Sequence, residues 1–260
     1  MNDTTRRESK PSQNMARISS RTDSTGNPVK NRLLLAIPEA EFDLMRPHLQ
    51  PVSLHQRFIL HETGEKVLFA YFLNEGLSSS IILMNDGRSV EISVTGREGL
   101  VGTPLTVGLT RGPYRAIMQI AGSALKIEPE ALQAVLAEAP ELSWLLRRYV
   151  LLNGLQIAQI AACNRLHGLE ERLARWLLMC QDRVDLPVLP ITHEFLSQML
   201  GTGRPSVSLA AGILEQAGLI ENLRGNVRIT NREGLEKFSC ECYAVIQRIS
   251  ARAGASADTP

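Results

Sequence analysis

The spacing of apolar residues changes texture along the chain. From Asn31 to Gln50, Leu33, Leu34, Leu35, Ile37, Phe42, Leu44 and Leu49 predict short helical pieces broken by Pro38 and Pro47. Between Pro51 and Ile127, short β-type runs alternate with Gly, Asn and Asp. Strands at roughly ten-residue spacing predict an antiparallel barrel or sandwich. Asn85-Asp86-Gly87 is a hairpin turn, because these residues tolerate the positive φ of a tight reversal. After Glu128 the period becomes helical. Ala131 to Ala137 predicts a short helix stopped near Pro140, and ELSWLLRRYVLLNGLQIAQIAACNRL predicts a long one. Leu142, Leu145, Leu146, Tyr149, Leu152, either Leu155 or Gln156, and Gln159 recur along it at spacings of three and four. This helix is apolar almost all round, so it needs cover on more than one side. The same helix of a second subunit is the simplest cover and makes these residues a two-fold dimer seam. Burial within the monomer is the alternative.

LEERLARWLLMCQDRV predicts a further helix, with Leu169, Leu173, Trp176 and Leu177 on its apolar face. Forty residues from Ile191 to Thr230 then carry the most specific signal. Thr192 is an N-cap, and Phe195, Leu196, Met199 and Leu200 form a helix ending at Gly201. Thr202-Gly203 turns the chain, and Arg204-Pro205 opens a second helix with proline in the first turn, where its missing N–H costs nothing. Val207, Ala210, Ala211, Ile213 and Leu214 make its buried side. Helix, glycine-containing turn, helix is a helix-turn-helix, whose second helix presents its N-terminal residues to base edges in the major groove. Thr202, Arg204, Pro205, Ser206 and Ser208 form that front. An arginine there suits guanine O6 and N7. Thr192 and the free N–H groups of both helix starts suit phosphate. His193 reads as a phosphate contact or a solvated side chain. ENLRGNVRIT then predicts a hairpin wing that places Arg224, Asn226 and Arg228 beside the DNA backbone.

Composition narrows the picture. The net charge of +1 requires a nucleic-acid binder to concentrate its positive residues on one face, and 5% aromatic residues argue against single-strand stacking platforms. Cys163, Cys180, Cys240 and Cys242 form no CxxC pair, which points to free thiols in a reducing cytoplasm. Cys240-Glu241-Cys242 lacks two further nearby ligands, so idle thiols are expected there rather than a metal. No run is apolar enough for a membrane span, and the N-terminus lacks the apolar core of a secretory signal. Its Ser, Thr, Asn, Arg and Pro content predicts a disordered tail, within which Met15 is an alternative start. Carboxylates at turns, including Glu62, Glu65, Asp86 and Glu98, form no acid–base pair, and Gly96-Arg-Glu-Gly99 lacks the context of a phosphate loop. No enzyme is expected.

MLGTGRPSVSLAAGILEQAGLI, NRLHGLEERLARWLL and LRGNVRIT resemble the recognition unit, hinge and wing of the Crp/Fnr superfamily of bacterial transcription regulators. The resemblance spans about Asn31 to Tyr243 and is strongest in the C-terminal third. It implies an α+β protein: an antiparallel jelly-roll-like sensor, a long dimerisation helix and a winged helix-turn-helix. Double-stranded DNA and a second copy of the chain are the expected partners, with RNA polymerase a further candidate. The boundaries are a tail at 1–30, the cyclic-nucleotide-binding-like sensor at 31–128 and a helical linker with the dimerisation helix at 129–165. The winged helix-turn-helix follows at 166–245 and a C-terminal tail at 246–260.

Departures from the family pattern matter. Arg204-Pro205 stands where Arg-Glu is common, so no glutamate accepts from cytosine N4 and the half-site should differ from that of the cyclic-AMP receptor. Leu209 stands where a basic residue is common. In the effector stretch, Gly102 is kept but Thr103 replaces the ribose-binding glutamate, while Arg111 and Arg115 lack the small hydroxyl residue that follows the phosphate-binding arginine. The two altered anchors argue against a cyclic nucleotide, although either arginine suits another anion. The absence of cysteine from the N-terminal third argues against an iron–sulfur cluster, and His48, His55 and His61 show no evident partner as haem ligands. The sequence leaves the effector unknown. The expected function is a homodimeric regulator reading a palindromic site; the alternative is a module whose C-terminal domain docks on protein.

Overall fold

The computed structural model describes residues 21–184 and 186–253. The β region folds into two four-stranded antiparallel sheets. One runs β1 (Gln50–Leu54), β8 (Gly122–Ile127), β3 (Ala70–Leu73), β6 (Leu100–Val101); the other runs β2 (Ile59–His61), β7 (Arg115–Ile120), β4 (Leu77–Leu83), β5 (Ser89–Thr95). Sequence neighbours β7 and β8 lie in different sheets, as a sandwich with crossing connections requires. The β4–β5 hairpin turns at the predicted site: Gly87 has φ 83°, and the Met84 N–H donates to Arg88 O at 2.8 Å.

Two short helices, α1 (Arg32–Ala36) and α2 (Glu39–Met45), close one side of the sandwich through Leu33, Leu34, Phe42 and Met45. The segment before them corrects the expected tail. Of residues 1–30, only 21–30 are described; Arg21, Asp23 and Val29 among them are buried and the others exposed. The Arg21 side chain is 5% exposed, pairs with Glu39 at 2.9 Å and donates to the carbonyls of Leu34 and Ile37.

After α3 (Pro129–Glu138), α4 runs from Pro140 to Leu166. Its start is capped from outside: the Glu41 carboxylate accepts from the backbone N–H groups of Glu141 at 3.0 Å and Leu142 at 2.7 Å. A carboxylate there satisfies two orphan donors and opposes the positive end of the helix dipole. The residues expected to form the dimer seam face inward instead. Leu142, Leu145, Tyr149 and Leu152 pack on the sandwich core, Gln156 donates to Ser250 at 2.9 Å, and Gln159 donates to the Cys242 sulfur at 3.1 Å. The sandwich and the C-terminal helix bury Leu142, Leu145, Tyr149 and Gln156 of that stripe and leave Leu152 and Gln159 half-buried. The exposed stripe is Trp144, Leu151, Leu155, Ala158 and Ala162, at steps of seven, four, three and four, and it keeps Leu155 of the expected pair Leu155 or Gln156.

The C-terminal unit comprises α5 (Leu169–Gln181), β9 (Val188–Leu189), α6 (His193–Met199), α7 (Arg204–Gln216), β10 (Ile220–Leu223), β11 (Asn226–Ile229), α8 (Arg232–Phe238) and α9 (Cys242–Ala253). The three strands make an antiparallel sheet in the order β10-β11-β9. The predicted tail at 246–260 is helical as far as Ala253; Ile246 is buried and α9 lies along α4.

One apolar cluster crosses from the sandwich into this unit, joining Leu77, Ile81, Val94 and Ile120 to Leu173, Trp176 and Leu177. Polar contacts fix the same junction. The Trp176 indole N–H donates to Glu91 at 2.7 Å, Ser79 donates to the other Glu91 oxygen at 2.6 Å, and Arg183 pairs with Glu98 at 2.8 Å. Burial pushes the Glu91 carboxyl up to about 7, against the hydrogen bonds from Ser79 and Trp176.

Candidate nucleic-acid interface

The helix-turn-helix is built from local rules. Thr192 caps α6, its hydroxyl accepting from the Phe195 N–H at 3.1 Å. The chain leaves α6 through Gly201, whose φ of 61° is left-handed, and a Cβ there would press on Val90 of the β4–β5 hairpin at 3.3 Å. The Thr202 N–H closes the turn on Ser197 O at 3.0 Å. Pro205 then lies in the first turn of α7.

The back of α7 is held by Val207, Ala210, Ala211 and Leu214, all buried; Ile213, expected among them, is 37% exposed. Its position, four residues after Leu209, turns it to the outer face together with Leu209, which is 67% exposed. Arg204, Pro205, Ser206 and Ser208 are exposed at the front, and Thr202 is half-buried in the turn.

His193 has a role that its sequence position did not suggest. Its Nδ1 lies 3.0 Å from the Ser208 hydroxyl and its Nε2 lies 3.3 Å from Asn222 Oδ1, so one ring ties α6 to α7 and to the first wing strand. Asn222 is held in turn by Glu215, which accepts from its backbone N–H at 2.7 Å. Ser208 is therefore partly committed inside the domain.

In the wing, Arg224 is exposed at the turn beside Gly225, and Asn226 donates to the Arg224 carbonyl at 3.0 Å. Arg228 pairs across the hairpin with Glu221 at 2.7 Å, which offsets its charge. A cleft of about 770 Å³ separates the β4–β5 hairpin from the helix-turn-helix turn, with Arg88, Val90, Arg172, Gln198 and Thr202 on its walls.

The residues considered for an effector lie around Tyr114. Gly102, with φ 93°, opens the 3-10 turn at Thr103–Val107, and the Thr103 hydroxyl is 3.1 Å from that of Tyr114. Arg115 is paired with Glu62 at 2.8 Å, and Arg111 donates to the Gly64 carbonyl at 2.7 Å. Both arginines have intramolecular partners to exchange before they could meet an anion. His61 is buried beside Tyr114, ring centroids 5.3 Å apart.

A second constellation was missed in the sequence. Cys163, His167, Cys240 and Cys242 converge so that one ligand atom from each lies within 4.8 Å of all the others. The two further ligands that Cys240-Glu241-Cys242 lacked nearby arrive from the end of α4, more than seventy residues earlier. The signal that could have found them is Cys163-x-x-x-His167, two ligand types one helical turn apart.

An antiparallel β-sandwich is thus joined by a long helix to a winged helix-turn-helix. Residues 171–238 match the family model of the Crp-like helix-turn-helix domain, and the described chain has the fold of Crp/Fnr-type regulators. FixK2 from Bradyrhizobium japonicum superposes with a TM-score of 0.64 at 17% identity, covering 74% of this chain and 98% of its own. The c-di-GMP responsive global regulator CLP of Xanthomonas campestris gives 0.62 at 16% identity, covering 74% and 99%. A CRP-family transcriptional regulator from Thermus thermophilus gives 0.60 at 23% identity, covering 72% and 96%. No curated protein sequence matches the chain. Among the described residues no helix is long and apolar enough to cross a membrane.

Proposed function

We propose that this chain is a cytoplasmic, homodimeric, sequence-specific transcription regulator that acts by binding rather than catalysis. Its two α7 helices enter successive major grooves of a palindromic site. The observation that carries this reading is the front of α7: Arg204, Pro205 and Ser206 stand exposed on a helix whose opposite side is locked into the core by Val207, Ala210, Ala211 and Leu214. Arg204 reads a guanine, Leu209 offers apolar contact to a thymine methyl, and Thr192 with Arg224 and Asn226 meets phosphate. Arg228 contributes less, because Glu221 holds it. The exposed stripe Trp144, Leu151, Leu155, Ala158 and Ala162 supports pairing of two α4 helices about a two-fold axis. The sandwich receives the signal and shifts the balance between dimer geometries, with RNA polymerase the downstream partner.

Site selection with the purified full chain, followed by titration of the recovered duplex, tests the reading. Arg204→Ala should relax preference at one position of each half-site, at a cost of about 1–3 kcal/mol. Arg224→Ala should weaken all sequences alike and flatten the salt dependence. No duplex binding by the wild type, or none altered by either change, would sink it. The outward apolar pair Leu209 and Ile213 favours the second reading, docking on a protein. Recovery of no preferred DNA site would then be expected.

A further inference from the structure

We infer that Cys163, His167, Cys240 and Cys242 form a structural zinc site that fastens the end of α4 to the start of α9. The geometry is that of a mononuclear tetrahedral centre. Zinc–sulfur bonds of about 2.3 Å and zinc–nitrogen bonds of about 2.0 Å place sulfurs about 3.8 Å apart, and sulfur and nitrogen about 3.5 Å apart. The Cys163 and Cys240 sulfurs are 3.4 Å apart, and the Cys242 sulfur is 3.6 Å from His167 Nδ1. The Cys163–Cys240 separation is far longer than a disulfide bond, so the pair is a dithiol. The four donor atoms lie within 4.8 Å of one another, a spread that suits one ion better than the wider cage of an iron–sulfur cluster.

The surroundings fit a metal as well. His167 Nε2 lies 3.1 Å from the Glu241 carboxylate, the partner that fixes a ligating imidazole with Nδ1 turned to the ion. The Gln159 amide N–H donates to the Cys242 sulfur at 3.1 Å, a bond that stabilises a thiolate. All three cysteines are buried, which keeps solvent off the ion. Three thiolates and a neutral imidazole leave no open position on a tetrahedral ion, so the site is structural rather than catalytic, and thiolate-rich donor sets select zinc over magnesium or calcium. Binding releases the thiol protons to solvent as the metal–sulfur bonds form.

The location gives the site its consequence. His167 and Gly168 leave helical geometry between α4 and α5, with ψ of 153° and 158°. This is the joint between the long helix and the helix-turn-helix unit. Cys163 lies in the last turn of α4 and His167 at the joint itself, while Cys240 lies between α8 and α9 and Cys242 opens α9. A bound ion therefore closes a loop around the joint and fixes the angle at which α7 is presented. The metal site stands without the DNA-binding reading; only its effect on α7 rests on that reading.

The experiment uses the full chain, purified under reductant, stripped with chelator and titrated with Co²⁺ and then Zn²⁺. We expect one equivalent of Co²⁺ to produce thiolate charge-transfer bands and the visible bands of a tetrahedral ion, both bleached by Zn²⁺. Cys242→Ser and His167→Gln should weaken Zn²⁺ binding at least 100-fold, and Glu241→Gln roughly 10-fold. Circular dichroism of each variant separates lost binding from lost fold. Absence of the bands in folded wild type would overturn the site, as would equal binding by the His167→Gln variant or a Cys163–Cys240 disulfide in place of metal uptake. Duplex affinity is read separately: a change on removing zinc supports control of α7, and unchanged affinity overturns that control.

Discussion

The His193 side chain, at the start of α6, bridges three elements of the helix-turn-helix unit. Its ring joins Ser208 on α7, at 3.0 Å, to Asn222 on β10, at a longer 3.3 Å. A typical hydrogen bond contributes about 1 kcal/mol net, so replacing the ring releases α7 and the wing from one another at modest cost to the fold. His193→Ala should therefore lower duplex affinity by roughly 5–10-fold across all sequences, while the base preference set by Arg204 stays unchanged. Fluorescence anisotropy on matched and mismatched duplexes checks it; a change of preference at one base pair would instead make His193 a reading residue. The sequence placed His193 at a helix start but held no clue to its partners, which come from fifteen and twenty-nine residues further along.

At the scale of elements, α4 was legible as a long helix because three-and-four spacing is a local property of the chain. Which of its stripes meets what is not local. Leu142, Leu145 and Tyr149 are taken by the sandwich core, and Gln156 and Gln159 by α9, leaving Trp144, Leu151, Leu155, Ala158 and Ala162 outward. Of these Leu151 is 65% exposed, so a charge there leaves the monomer intact but would place like charges across the proposed two-fold seam. Leu151→Glu should shift the dimer to monomer in sedimentation velocity and lower affinity for a palindrome far more than for a half-site. A variant that remains dimeric would show that another face pairs. The helix-turn-helix was legible for the same local reasons: Thr192, Gly201 and Pro205 are cap, turn and opener by their own chemistry. The cysteine–histidine cluster was hidden because only tertiary packing of α9 along α4 brings its halves together.

Across the whole molecule, the sandwich and the helix-turn-helix unit share a buried junction, and Glu91 is a fully buried carboxyl within it. The carboxyl accepts from Ser79 within the sandwich and from Trp176 across the junction, yet burial raises its pKa from the ordinary 4.5 to about 7. A carboxyl whose folded pKa lies above its unfolded value binds its proton more tightly in the fold. Stability is therefore undiminished below about pH 4.5, falls as pH rises through the window from 4.5 to about 7, and is lowest above it. A tenfold difference in proton affinity between the folded and unfolded chain is worth about 1.36 kcal/mol, so the full penalty at high pH is on the order of 3 kcal/mol. Most of a physiological pH step falls on the upper shoulder of this curve. Lowering pH from about 8 to about 6 should recover roughly 1 kcal/mol, read as a rise in the unfolding midpoint. Glu91→Gln keeps the shape and an acceptor for Trp176 but carries no titration, so this increment should vanish and the variant should be the more stable at the higher pH. The comparison is made on the wild type and variant together, because other groups titrate equally in both. A wild-type increment that survives in Glu91→Gln would place the pH dependence elsewhere and leave the junction insensitive to protons.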